Sequence, residues 1–208
     1  MFFPIFTTLA IIFAAFSIYM RHSGRKIDSD IKMLRERELE ANSVRKQPLT
    51  DIEYIEPDFS KLPFDPENPG DPDDNISDYQ KKLLSLSDKK IVNLSGVSNT
   101  DLKLKYGVAN LDYLSSCDEN FLELVKYLYL WGNALYEQGR IQEAKQVLEY
   151  GVSVHSDVKG NYRLLAQIYA DEFDFCSIEL LTADAEKLTA PNRDSIVKML
   201  KTTDYFHE

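Results

Sequence analysis

The sequence is poor in the residues that usually build catalytic and metal centres. Its 208 residues include only two cysteines, Cys117 and Cys176, and three histidines, His22, His155 and His207. Two cysteines cannot form a disulfide framework, and the histidines lack the short spacings of metal ligands. Ser-His-Asp, Cys-His and phosphate-loop patterns are also missing. The sequence therefore predicts no catalytic residue, no metal site and no cofactor, and we expect the protein not to be an enzyme.

Clustered positive charge is missing from most of the chain. The net charge is −10, and residues 48–76 hold nine acidic residues and one basic residue. Residues 77–208 hold 20 acidic and 15 basic residues, whereas residues 21–47 hold eight basic and five acidic ones. Contacts with phosphates need clustered lysines and arginines, so this distribution excludes a typical nucleic-acid-binding protein.

Charged side chains are absent from the start of the chain, residues 1–20. The run from Phe2 to Met20 is mostly apolar and, as a helix, long enough to cross about 30 Å of hydrocarbon. A cleavable signal peptide would need basic residues before this run and a small-x-small site after it, and neither is present. We therefore expect residues 1–20 to be a transmembrane anchor. The basic residues that follow predict a cytoplasmic C-terminal domain and a single-pass membrane protein.

Residues 21–47 form a basic segment rich in helix formers. Ile27, Ile31 and Leu34 lie on one face of the predicted helix. A parallel coiled-coil dimer is one interpretation, but the same face continues with Glu38 and Ala41, so the apolar seam is short. We favour a single solvated stalk over a homo-oligomer.

Residues 48–76 read as an acidic, proline-rich linker. Six of the eight prolines fall between Pro48 and Pro72, which favours extended backbone. The first half of this segment also carries large apolar residues, which are Ile52, Tyr54, Ile55, Phe59, Leu62 and Phe64. These residues indicate either an arm that folds onto the C-terminal domain or a docking motif for a partner. We favour the arm, because exposed apolar groups are usually covered.

Residues 77–208 lack proline until Pro191 and have a helical apolar pattern throughout. The pattern predicts a short helix after Ser77 and one or two more over 99–114, broken near Gly107. Ser116 and Glu119 have the spacing of a capping box, so a long helix is predicted to start there and to stop at Gly139. A second, antiparallel helix follows over 141–154.

The segment WGNALYEQGRIQEAKQVLEYGVS resembles a tetratricopeptide repeat, a helix-turn-helix unit of 34 residues. In a unit over 125–158, the family's signature positions are occupied by Leu128, Trp131, Gly132, Leu135, Gly139, Ala144, Leu148 and Gly151. A second unit over 159–192 keeps this register with Tyr162, Leu165, Ala166, Tyr169, Ala185, Ala190 and Pro191. Ile178, Thr182 and a turn without glycine depart from the pattern, so we expect the second unit to be splayed or to end the stack. Asn192 is predicted to cap a final helix.

The resemblance implies an all-α superhelix that binds a protein or peptide partner in a groove lined by the first helix of each unit. The groove positions implied by this resemblance are Lys126, Tyr129, Asn133, Tyr136, Glu137, Arg163, Gln167 and Asp171. The resulting hypothesis is a membrane-tethered adaptor. A plain helical bundle is the alternative fold, and a structural subunit held in a membrane complex by its transmembrane helix is the alternative function.

Overall fold

A computed structural model describes residues 3–64 and 75–202 and contains no β-strand within these ranges. The expectation of an all-α fold is confirmed for this part of the chain. The proline-rich run over 65–74 and residues 203–208 lie outside the described residues. The helices are α1 (Phe3–Ser43), α2 (Ile76–Leu84), α3 (Asn99–Tyr106), α4 (Leu111–Glu137), α5 (Ile141–Ser153), α6 (Lys159–Asp171), α7 (Phe175–Glu186) and α8 (Arg193–Thr202).

The N-terminal helix corrects the predicted membrane anchor. Among the residues that the structure describes, no helix is both long and apolar enough to cross a membrane. A span needs about 20 consecutive, predominantly apolar residues. Helix α1 continues without a break from its uncharged first half into a charged second half. This finding contradicts the predicted transmembrane anchor over 1–20 and the single-pass membrane localisation, and the predicted cytoplasmic placement of the C-terminal domain loses the anchor on which it rested.

The chain divides into two compact units, and their boundaries differ from the predicted division at residue 76. The first unit comprises Met1–Pro48 and Ser98–Leu111, and the second comprises Leu49–Val97 and Asp112–Glu208. Part of the predicted linker therefore belongs to the second unit, whereas α3 belongs to the first.

In the first unit, the end of α1 packs on α3 through polar contacts. The carboxylate of Glu38 accepts hydrogen bonds from Thr100 (2.7 Å) and Lys103. The bond from Lys103 holds the pKa of Glu38 below its ordinary value. Ala41 is fully buried, and Asn110 donates to the carbonyl of Gln47 (2.8 Å). The end of the predicted stalk is therefore packed against α3 and is not fully surrounded by solvent.

The second unit contains α4 to α8 in succession around one apolar core. Trp131, Leu135, Ala144 and Leu148 are fully buried, as the repeat register predicts. The helix α4 begins at Leu111 rather than at the predicted cap, Ser116. The capping-box prediction was wrong because the helix is already formed ahead of Ser116, where Leu114 is buried.

Helices α4 and α6 end in the same turn, and the two turns are separated by one repeat length. Gly139 (φ 75°) and Phe173 (φ 59°) each take the left-handed conformation after the helix. Matching backbone hydrogen bonds close the two turns, from Arg140 N–H to Leu135 O (2.9 Å) and from Asp174 N–H to Tyr169 O (2.8 Å). Helix α7 begins one repeat length after α5, and α8 begins one repeat length after α6. The missing glycine therefore leaves this turn of the second unit unchanged.

The strained turn at Phe173 leads to a stability prediction. A residue with a Cβ pays about 1–2 kcal/mol for the left-handed conformation, and the Phe173 side chain is 80% exposed, so it recovers little by packing. We expect Phe173→Gly to raise the free energy of unfolding by about 1 kcal/mol in urea titrations. Phe173→Ala, which keeps the Cβ, is the control. An equal gain from Ala would show that loss of the exposed ring, rather than relief of strain, is responsible.

Residues 49–64, here called the arm, pack against the second unit. Leu62 is 7% exposed and belongs to the apolar core. The ring of Phe64 lies 4.8 Å from that of Trp131, and Gln146 of α5 donates to the carbonyl of Lys61 (2.6 Å). The prediction that this apolar half of the linker folds onto the helical domain is confirmed.

Candidate functional site

The predicted groove residues lie on two helices of the second unit. Helix α4 carries Lys126, Tyr129, Asn133, Tyr136 and Glu137, and α6 carries Arg163, Gln167 and Asp171. We call this set the first-helix groove. The two helices meet at Gly160, where a Cβ would lie 2.5 Å from the ring of Tyr129. The sequence reasoning missed Gly160, although its position one residue into α6 allows this close approach.

The two groove tyrosines have a structural role as well as an exposed surface. Both Tyr129 and Tyr136 are half-buried and pack against the core. The ring of Tyr129 covers the first turn of α6 at Gly160. Only part of each tyrosine ring is therefore accessible. The exposed residues of this set are Lys126, Glu137, Arg163, Gln167 and Asp171.

An amide–carboxylate pair recurs at equivalent positions of the two groove helices. Asn133 Nδ2 donates to Glu137 Oε1 (2.7 Å), and Gln167 Nε2 donates to Asp171 Oδ1 (2.8 Å). The two pairs are separated by one repeat length. A side-chain amide has both donor and acceptor groups, so it can hydrogen-bond a peptide backbone. The recurrence places two such amides in register along the groove.

The third helix of this series does not extend the groove. Helix α8 begins one repeat length after α6, and its Lys201 corresponds by register to Asn133 and Gln167. Lys201 Nζ instead pairs with Glu186 of α7 (2.6 Å) and lines a cavity between α7 and α8. The predicted groove residues therefore remain those of α4 and α6.

The groove has balanced charge. Two cations, Lys126 and Arg163, and two carboxylates, Glu137 and Asp171, lie on these two helices. Lys126 Nζ lies 5.3 Å from the centre of the Tyr127 ring, which holds this ammonium at the edge of α4. The arrangement suits a polar segment with mixed charge rather than a highly charged ligand.

The cavities described in the structure lie away from the first-helix groove. One of about 260 Å³ lies among α5, α6 and α7, two others adjoin the arm, and another is lined by residues of α7 and α8. None of these four is lined by a predicted groove residue. These four cavities therefore form no enclosed pocket at the predicted groove residues.

Buried polar and thiol groups of the second unit belong to the core. The Tyr162 hydroxyl, Trp131 Nε1 and Asn161 Oδ1 are buried without hydrogen-bond partners, and burial raises the pKa of Tyr162. Burial also raises the pKa of the Cys117 thiol, which disfavours the reactive thiolate. Within the described ranges, no group of three histidine, cysteine or acidic residues could hold a metal ion.

Comparison of the chain with known protein families, curated proteins and solved structures finds no match.

Proposed function

We propose that the second unit is a protein-interaction module of tetratricopeptide-repeat type. It binds a short extended segment of a partner protein in the first-helix groove. The repeated turn at Gly139 and Phe173, together with helix starts separated by one repeat length, supports a repeat rather than a plain bundle.

The observation that carries the proposal is the recurring pair of amides. Asn133 and Gln167 are each held by a carboxylate one helical turn later, so their orientations are similar. Two oriented amides on neighbouring helices can bond successive peptide groups of an extended ligand. Arg163 adds a cation that can pair with an acidic side chain of the same ligand.

The size of the groove limits the affinity that we expect. Two helices present a short surface, and two half-buried tyrosines provide its large apolar contacts. An affinity on the order of micromolar corresponds to about −8 kcal/mol of binding free energy. The ligand is therefore a short peptide segment.

Selection from a displayed peptide library against the full-length chain tests this proposal. We expect selected peptides to lose at least tenfold in affinity for the double variant Asn133→Ala, Arg163→Ala, measured by fluorescence anisotropy. The variant should melt close to the parent because both changes lie at the helix surface. Lys82→Ala, an exposed change on α2, is the control. Peptides that bind the double variant as tightly as the parent would contradict the groove assignment.

A further inference from the structure

The apolar face of α1 is longer than the basic segment over 21–47 indicates. Helix α1 is continuous from Phe3, so the face that carries Ile27, Ile31 and Leu34 extends toward the N-terminus. Alternating steps of three and four residues follow this face over about three and a half heptads and meet no charged residue. We call it the α1 seam, and its positions are Ala10, Phe13, Ser17, Met20, Gly24, Ile27, Ile31 and Leu34.

The large side chains of the α1 seam are exposed. Phe13 is 71% exposed, and Met20 and Ile27 are each 54% exposed. Ile31 and Leu34, at the other end of the seam, are 48% and 60% exposed. The charged residues over 25–37 all lie at other positions of the helix. The described part of the first unit therefore leaves a long apolar stripe uncovered.

Helix α3 covers the continuation of the same face. One step beyond Leu34, the face reaches Glu38, which accepts hydrogen bonds from Thr100 and Lys103 of α3. The next position along the face is Ala41, which is fully buried. Helix α3 therefore occupies this face beyond Leu34, and the α1 seam ends where α3 begins to cover it.

We propose that the α1 seam binds the α1 seam of a second copy of this chain, with the two helices antiparallel. The position of α3 determines this direction. In a parallel pair, both copies of α3 would lie between the two α1 helices at the same end, one turn after Leu34. Packed helices lie about 8–10 Å apart, and a helix with its side chains is about 10 Å wide, so the two copies of Leu34 could not meet. In an antiparallel pair, each α3 lies beyond the end of the seam contact.

The seam is complementary to itself in the antiparallel direction. Three of its four kinds of layer join a small residue to a large one, and these are Ala10 with Leu34, Ser17 with Ile27 and Gly24 with Met20. The fourth layer pairs Phe13 with Ile31. A parallel pair would instead place Gly24 against Gly24 and Ser17 against Ser17, which leaves gaps where close packing is needed. The antiparallel contact has two-fold symmetry, so a second copy of the chain satisfies the whole seam.

Sedimentation equilibrium of the full-length chain measures this association. We expect a dimer at concentrations on the order of micromolar, and at least tenfold weaker dimerisation for Ile31→Glu, which places a carboxylate in the seam. Met33→Glu is the matched control because Met33 is apolar, 62% exposed and off the seam on the same helix. It should change the dissociation constant of the dimer less than twofold. Circular dichroism checks that both variants fold, and Ile27→Glu is a second seam variant if Ile31→Glu does not.

Cysteine cross-links determine the direction of the two helices. The background is Cys176→Ser, in which the remaining Cys117 is buried. One chain then carries Ser17→Cys and another carries Ile27→Cys. We expect disulfide dimers in an oxidised mixture of the two chains but not in either chain alone. The reason is that each of these positions lies about 15 Å along the axis from the same position of the other copy.

Three results would overturn the proposal, namely a chain that stays monomeric, equal effects of Ile31→Glu and Met33→Glu, and cross-links within each cysteine variant alone. A monomer that sediments with phosphatidylcholine–phosphatidylserine vesicles would assign the seam to a lipid surface and would also overturn it. The double variant Asn133→Ala, Arg163→Ala should dimerise as the parent does. That comparison separates the α1 seam from the first-helix groove, so either proposal can fail alone.

Discussion

Gly132→Leu should lower the free energy of unfolding by about 1–3 kcal/mol, since overpacking a close helix contact costs that much. A Cβ at Gly132 would lie 2.8 Å from both Cγ and Cδ2 of Leu148. Leu148 is fully buried, so it cannot rotate into solvent to make room. The remaining atoms of the new leucine would force α4 and α5 apart.

Thermal melting followed by circular dichroism measures this effect. A loss of that size corresponds to a decrease of about 3–10 °C in Tm for a chain of this length. Glu119→Leu, an exposed change on the same helix, is the control for added apolar surface. If Gly132→Leu melts together with Glu119→Leu, the close approach of α4 and α5 is not required for stability.

Short-range signals were enough to predict most of the helices in the second unit. The periodic apolar pattern and Gly139 located α4, α5 and the turn between them. The repeat spacing then located α6, α7 and α8. These features depend on residues close in sequence, so their physical cause can be read from the sequence alone.

Features that depend on distant contacts could not be predicted in the same way. The assignment of α3 to a unit with α1 rests on the contacts of Glu38 with Thr100 and Lys103, which lie far from it in the sequence. The left-handed Phe173 was missed because glycine is the usual signal for that turn. The apolar N-terminal run suggested a membrane span from composition alone, without the continuous charged helix that follows it.

The helices that carry the candidate residues could be predicted from the sequence, but the contacts of these residues could not. Register along the repeat placed all eight groove residues on α4 and α6. It could not show that each amide is held by a carboxylate, or that Tyr129 covers Gly160. The same register would have placed Lys201 in the groove, but its pairing with Glu186 turns it toward α7.

The double variant Leu62→Ala, Phe64→Ala should release the arm and expose Trp131, the only tryptophan of the chain. Trp131 is fully buried, and the Phe64 ring lies against it. Leu62 is buried in the core, where a change from leucine to alanine costs about 2–5 kcal/mol. We therefore expect a large loss of unfolding free energy and a red shift of the tryptophan emission in the native state.

Two further measurements decide whether the arm is responsible. The amide of Ile55 donates to the carbonyl of Ile91 (2.9 Å), so its hydrogen exchange should become faster when the arm is released. Lys61→Ala, which removes an exposed side chain from the same segment but leaves the carbonyl that Gln146 bonds, is the matched control. We expect this control to keep the parental emission and stability. Unchanged emission and unchanged exchange in the double variant would show that Trp131 is shielded by the helices alone, and that the arm does not contribute to the closed core.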